Sequence, residues 1–312
     1  MTRSSKIMTS LQEEAQKPKA LIMAGSGGSG KSYVVDQLNI PEDLEILNPD
    51  KYIEGGDMSL GSLGAASRKV SNDLKDKVER GESFVYDTTA SNPDTIKNFV
   101  DKGYDVMMVM VYTHPVVSLM SNFERDRKLP FSAVFSTWDK VYSLIETYKS
   151  MLGSSFFLVD NTRKDKYSKL IDVFNKAASK GAKGILQFIE NLTNTDPDKF
   201  KTTFEKPFEI EDVEAKRSYD EEVAGLDATP KEEKKLMKYF MDSWKKKQVG
   251  PGQERMAKKL DSIRKESKKS KETMLSTMES ISEKLETITS DIEKDTSSIS
   301  QVKSKVQGFF NG

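Results

Sequence analysis

The stretch Leu21–Leu38, LIMAGSGGSGKSYVVDQL, sets six glycine and serine residues between an apolar run and a Lys-Ser pair. Gly25, Ser26, Gly27, Gly28, Ser29, Gly30, Lys31 and Ser32 fit the spacing G-x-x-x-x-G-K-[ST]. A polyphosphate needs several backbone N–H groups aimed at one place, and only a turn without bulky side chains lets the main chain come that close. A helix starting near Gly30 adds the positive end of its dipole and its unpaired N–H groups. Lys31 has the reach for the β- and γ-phosphates, and the Ser32 hydroxyl can ligate Mg²⁺. The pattern predicts binding of a nucleotide phosphate chain, whatever the reaction.

Three further segments carry residues suited to moving a phosphate. ILNPDKYI (46–53) offers Asp50, GESFVYDTTASNP (81–93) offers Asp87 followed by Thr88 and Thr89, and NFERDRKLP (122–130) offers Arg125 and Arg127. A carboxylate just beyond a strand end can hydrogen-bond an attacking hydroxyl. Guanidinium groups can stabilise charge spreading over the oxygens of a transferring phosphoryl group while excluding water. Asp50 also suits a cap on the NPDKY turn, Asp87 a cap on the next helix, and the arginine pair a solvated helix end.

With the glycine turn, this set resembles the polynucleotide kinase and zeta-toxin branch of P-loop kinases, over about residues 18–163. The third-strand segment looks especially like the phage polynucleotide kinase 5′-kinase domain, where an Asp-Thr is followed by an Asn-Pro. The resemblance implies transfer of the γ-phosphate of ATP, with Mg²⁺, to a hydroxyl acceptor: a polynucleotide 5′-OH, or a small molecule such as a nucleotide sugar. It implies Asp50 as general base, Lys31, Arg125 and Arg127 as catalytic cations, and Ser32 and Asp87 beside the metal. Asn161, in Asp160-Asn161-Thr162, falls where related proteins frame the adenine. The family pattern commonly has an arginine before the asparagine matching Asn122; this chain has Ser121. No resemblance extends over 164–312.

The elements that position these residues follow from hydropathy. Apolar runs at 20–24, 44–48, 83–87, 105–112 and 156–160 are apolar on consecutive positions, as in parallel strands covered on both faces. Helical patterns lie between them at Gly64–Arg80, Pro93–Lys102, Pro115–Asp126 and Ser132–Leu152. The predicted fold is α/β, a doubly wound, five-stranded parallel sheet of P-loop NTPase type. An α-helical C-terminal region ending in a long coiled-coil helix follows it. The domain reading is a loose N-terminus at 1–17, a kinase domain at 18–163, a helix and polar linker at 164–228, a helix at 229–250, and a basic segment with coiled coil at 253–312. Thr229, Pro230 and Glu232 give the 229–250 helix a capping-box start.

Met274, Met278, Ile281, Leu285, Ile288, Ile292, Asp295, Ile299, Val302, Val306 and Phe309 keep an unbroken 4-3 spacing, apolar at all but Asp295. So narrow a seam suits a coiled coil, about 54 Å long at 1.5 Å per residue, that pairs with a second copy or a protein partner. A long helix folding back on the same chain is the other reading. Lys245 to Lys271 holds eleven Lys or Arg against three acidic residues, either a solvated face or a phosphate contact. His114, the only histidine, reads as a turn residue, and Trp138 and Trp244 read as packing residues.

Overall charge is balanced at 49 basic and 49 acidic residues, so it speaks neither for nor against a nucleic-acid partner. The lack of cysteine excludes disulfides and thiolate chemistry. No apolar run is long enough for a membrane span, and the expected location is cytoplasmic, or the virion if the chain is of phage origin. Against the kinase stands a second class, a nucleotide-binding assembly protein of a phage particle or packaging complex working through its coiled coil. A toxin that phosphorylates a cell-wall sugar precursor is a third.

Overall fold

The computed structural model describes residues 17–53, 60–125, 128–202, 235–241 and 251–311. Arg127, Trp244, the capping box at 229–232, residues 1–16 and most of the polar linker lie outside the described residues. The chain divides into two compact units. The first comprises Met1–Ser118, Thr137–Ser168 and Glu286–Gly312; the second comprises Leu119–Ser136 and Lys169–Leu285.

The first unit is built on five parallel strands: β1 (Lys19–Ala24), β2 (Ile46–Leu47), β3 (Phe84–Asp87), β4 (Asp105–Tyr112) and β5 (Phe156–Asp160), in the order β2-β3-β1-β4-β5. Every residue of β1 is buried, and so is every residue of β4 after Asp105. That matches the continuous apolar runs, which only a sheet covered on both faces can use. β1 lies at the centre, so the strand order reverses beside it, the place where open α/β sheets form a crevice beyond the strand ends. In register, Asp87 pairs with Met23, Leu47 with Tyr86, and Asp160 with Tyr112. These pairings bring the glycine turn, Asn48 and Asp87 out at one end of the sheet.

The helices of this part of the chain are α1 (Lys31–Gln37), α2 (Leu60–Arg80), α3 (Pro93–Asp101), α4 (Pro115–Phe123), α5 (Phe131–Tyr142), α6 (Ile145–Leu152) and α7 (Lys164–Ala178). The single helix expected over 132–152 is two, α5 and α6, separated at Ser143 and Leu144. The helical stretch 165–195 likewise divides into α7 and α8 (Ala182–Thr195), because Gly181 takes φ 78° and ends the regular turn.

The C-terminal pattern is helical but not one continuous rod. α9 (Pro251–Asp295) stops at Asp295, the one polar residue of the apolar seam, and α10 (Ile299–Asn311) follows after three residues. In that break Ser297 N–H donates to Leu158 O at 2.8 Å, and Thr296 bridges Leu158 in parallel. The exposed edge of β5 is thereby covered, which removes a pairing site for foreign strands. Asp295 pairs with Lys149, and Glu293 with Lys164 at 3.0 Å.

α10 then supplies a face of the sheet. Val302 and Val306 are fully buried in one core cluster with Leu21, Met23, Val34, Leu38, Val109, Val111 and Val159. Its far end is held by Lys19, whose Nζ donates to Phe310 O at 3.4 Å and lies 5.9 Å from the Phe309 ring centroid. The seam expected to pair with a second copy is therefore spent inside the chain: Ile288, Ile292, Val302 and Val306 are buried in the first unit, and Met278, Ile281 and Leu285 in the second. The physical reason is the sheet itself. Its α1 side exposes an apolar face that an amphipathic helix from the same chain covers at lower entropic cost than a partner.

The second unit is helical. Phe174 stacks on Phe135 at 6.0 Å and meets Phe188 edge-on at 5.3 Å, and Ser282 Oγ donates to Ala178 O at 2.6 Å. Leu236 and Phe240, on the helical stretch 235–241, are buried. Among the described residues no helix is long and apolar enough to cross a membrane.

Candidate functional site

The glycine turn occupies the β1–α1 connection, as its spacing demands. Gly30 adopts the left-handed conformation (φ 82°, ψ 28°) immediately before α1, and Val34 N–H closes the first helical turn on Gly30 O at 3.2 Å. A side chain at Gly30 is disfavoured by the backbone angle, and an added Cβ, at 2.2 Å from Asn161 Nδ2, would push that amide away from the loop. Gly28 (φ 83°) is the same case, with Ser118 O only 2.4 Å from the position of a Cβ. The loop is thus packed closely against its own fold at Gly25 and Gly28 and open at Gly27.

Three side chains distant in sequence hold it there. Tyr142, fully buried on α5, donates its hydroxyl to Val111 O at 2.8 Å and receives Ser26 N–H at 3.3 Å. Burial pushes its phenol up to about 12, so it stays protonated and keeps that donor. Ser118 Oγ donates to Gly27 O at 2.7 Å and shares a hydrogen bond with Ser26 Oγ at 3.0 Å. Asn161 Nδ2 donates to Ser29 O at 2.9 Å. Lys31 Nζ lies over the loop, donating to Gly25 O at 2.9 Å and Ser26 O at 3.4 Å. Ser32 is exposed in the first turn of α1.

This bracing makes a prediction. Tyr142→Phe leaves the Ser26 amide without its buried partner and is expected to cost about 1–3 kcal/mol, read as a lowered midpoint of thermal unfolding. A midpoint equal to that of the unsubstituted protein would deny Tyr142 that supporting role.

The two carboxylates leave the sheet beside the loop. Asp50 sits on a short 3-10 turn, Pro49–Tyr52, and is exposed. The turn is capped by Asn48, whose Oδ1 accepts from Asp50 N–H at 2.8 Å, so Asp50 is not the cap. Asp87 is buried at the end of β3, and its Oδ2 accepts from Asn48 Nδ2 at 2.7 Å. The next helix, α3, is capped by Asn92 instead, through Asp94 N–H at 3.2 Å. Behind Asp87 the chain folds tightly. Thr88 Oγ1 accepts from Ala90 N–H at 3.2 Å, Ala90 takes φ 52°, and Tyr148 OH ties it down through Ala90 O at 2.6 Å.

His114 is buried and structural: its Nδ1 accepts from Val116 N–H at 3.4 Å at the start of α4, and its own N–H donates to Thr162 Oγ1 at 3.3 Å. Trp138 is buried and donates to Thr113 O at 2.8 Å. Both readings as fold-building residues hold.

Arg125 belongs to the second unit, exposed on the turn after α4, with its N–H donating to Asn122 O at 3.3 Å. Asn122, buried, closes the arginine loop by two bonds across its neck: Nδ2 to Leu129 O at 2.9 Å, and Leu129 N–H to Oδ1 at 3.0 Å. Phe123 packs on Phe200 at 4.7 Å, and Lys128 Nζ donates to Lys199 O at 3.2 Å, so both arms of the loop rest on residues 199–200.

Sequence reasoning did not single out Asn48, Ser118 or Tyr142. Asn48 carried a usable signal, an asparagine before proline at a helix start. Ser118 and Tyr142 had none, since each meets the loop across about ninety or more residues of chain.

Fold and loop together define an α/β architecture of P-loop type. No known family's sequence profile matches the chain. No curated protein matches it either. Among solved structures the chain is similar to the AvrRxo1-ORF1:-ORF2 complex with ATP, at 17% identity over 50% of this chain and 58% of that chain, with a TM-score of 0.41. It is similar to a protein of the PezAT chromosomal toxin–antitoxin system of Streptococcus pneumoniae, at 17% identity over 52% of this chain and 78% of that chain, with a TM-score of 0.36. A gluconokinase from Sinorhizobium meliloti 1021 is similar at 16% identity over 58% of this chain and 98% of that one, with a TM-score of 0.30. The chain thus spans less than two thirds of the chain it matches in that ATP-containing complex.

Proposed function

We propose that the first unit binds ATP in the loop Gly25–Ser32 and passes its γ-phosphate to a hydroxyl group. The observation that carries the reading is one edge of one sheet bearing three parts: a phosphate loop held open by left-handed Gly28 and Gly30, the exposed carboxylate of Asp50, and the buried carboxylate of Asp87. In this reading Lys31 moves from the loop carbonyls to the β- and γ-phosphates, a short swing for a four-carbon stem. Asp50 accepts the proton of the acceptor hydroxyl as its oxygen bonds to the γ-phosphorus. The bond from that phosphorus to the bridging oxygen breaks, and ADP leaves.

Mg²⁺, when bound, would neutralise charge on the β- and γ-oxygens. The donor chemistry suits it: the exposed Ser32 hydroxyl and the Asp87 carboxylate are hard oxygen donors of the kind the ion takes. That fits a metal held by one or two protein oxygens and the substrate's own phosphates. Ser32 and Asp87 are the residues that would hold it. Asn161 would frame the adenine, while Arg125 and Arg127 enter the proposal from the sequence alone, as cations for the transferring group.

A polynucleotide 5′-OH is the leading acceptor and a nucleotide sugar the next. The assembly reading takes no support from the apolar seam, because that seam is buried within the chain. The test is an acceptor screen with γ-labelled ATP and Mg²⁺, run on the full chain and on Lys31→Ala. Label is expected on a hydroxyl acceptor with the unsubstituted protein and none with Lys31→Ala. Equal labelling by the two proteins, or none by either, contradicts the proposal.

A further inference from the structure

We infer that Asn48 is a positioning residue, which fixes Asp50 and Asp87 relative to one another by bonding to both at once; the inference rests on the kinase reading above. β2 is only two residues long, so strand pairing alone holds its end weakly. Where it stops, one carboxamide takes over. Its Nδ2 donates to Asp87 Oδ2 at 2.7 Å, and its Oδ1 accepts from Asp50 N–H at 2.8 Å. Both ends of the amide are used, one on the side chain of the first carboxylate residue and one on the backbone of the second.

The far end of the same turn is fastened too. Tyr52 lies against α2, where the Lys69 ammonium sits 5.1 Å from its ring centroid. The Asp50 turn is therefore pinned to α2 at one side and to Asp87 at the other. Asparagine is the residue this geometry needs. An aspartate would set two carboxylates at 2.7 Å, serine could cap the turn without reaching Asp87, and alanine could do neither.

That ranking is the experiment. Asn48→Ser, Asn48→Ala and Asn48→Asp in the full chain are assayed for phosphate transfer from ATP to a 5′-OH oligonucleotide and for phosphate release to water. Serine and alanine are each expected to lower kcat by roughly 10- to 100-fold with KM for ATP near its original value, since misplaced reacting groups lose rate rather than ground-state binding. Aspartate is expected to lose at least as much as alanine. A serine variant with full kcat reduces Asn48 to a turn cap and overturns the inference.

A second readout does not need turnover. The ¹H–¹⁵N resonances of the Asn48 carboxamide are expected to move when Asp87 is changed to alanine, and immobile resonances overturn the inference equally. Transfer that survives Lys31→Ala counts against the kinase reading instead, so the two failures are told apart.

Discussion

Asp50→Asn is expected to abolish detectable phosphate transfer, a fall of roughly 10²–10⁴ in kcat, while ATP affinity and thermal stability stay where they were. Asparagine keeps the size of the side chain and removes its ability to take a proton. Stability is spared because the cap of the turn falls on the Asp50 backbone N–H, which asparagine keeps, and the exposed side chain keeps its size and loses only its charge. Affinity is spared because the phosphate loop is braced by Tyr142, Ser118 and Asn161, none of which leans on Asp50. The measurement is steady-state transfer beside calorimetric ATP binding and a melting curve. An Asp50→Asn protein that transfers at the original rate removes the general base from the mechanism.

Val306→Asp is expected to destabilise the first unit by about 4 kcal/mol or more, because it puts an unpaired carboxylate among buried valines and leucines. Val306 sits in the cluster that includes Leu21 and Met23 of β1 and Val34 and Leu38 of α1, the two elements flanking the phosphate loop. ATP binding should therefore fail with the fold, although the substitution is far along the chain from Lys31. Gln307→Asp, one residue on and exposed, is the control and is expected to melt with the unsubstituted protein. Matching melting curves for Val306→Asp and Gln307→Asp would mean that α10 does not complete the core.

This second result would also separate what the chain advertises from what it does. The apolar seam of 274–309 was readable to the residue, and so was its narrowness, which pointed outward to a partner. What periodicity could not reveal is that the sheet has a face in need of a cover. Asp295 marks a break in the seam within the first unit: the helix ends there, and three residues dress the edge of β5 before α10 begins.

Elsewhere legibility followed the range of the interactions. β4 and β5 are legible to their ends, since both show as unbroken apolar runs, although only β4 is buried along its length after Asp105. β2 was read as LEILN but pairs with β3 only at Ile46 and Leu47, because pairing there is limited by the partner and not by hydropathy. The phosphate loop was legible because backbone chemistry leaves little choice of residue. Its supports were not: a serine on α4 and a tyrosine on α5 look like any others until the fold delivers them to Gly27 and Ser26. The Asn48 bridge lies between these cases, local in its cap on Asp50 and non-local in its bond to Asp87.

The central claim is that the loop from Gly25 to Ser32 grips a triphosphate through its amides and Lys31. Calorimetric titration of the intact protein with ATP and Mg²⁺ tests it most directly. One site per chain is expected, weakened more than about tenfold by Lys31→Ala, since a charged hydrogen bond is worth about 1.5–3 kcal/mol. An isotherm with no binding, or one that Lys31→Ala leaves unchanged, contradicts it.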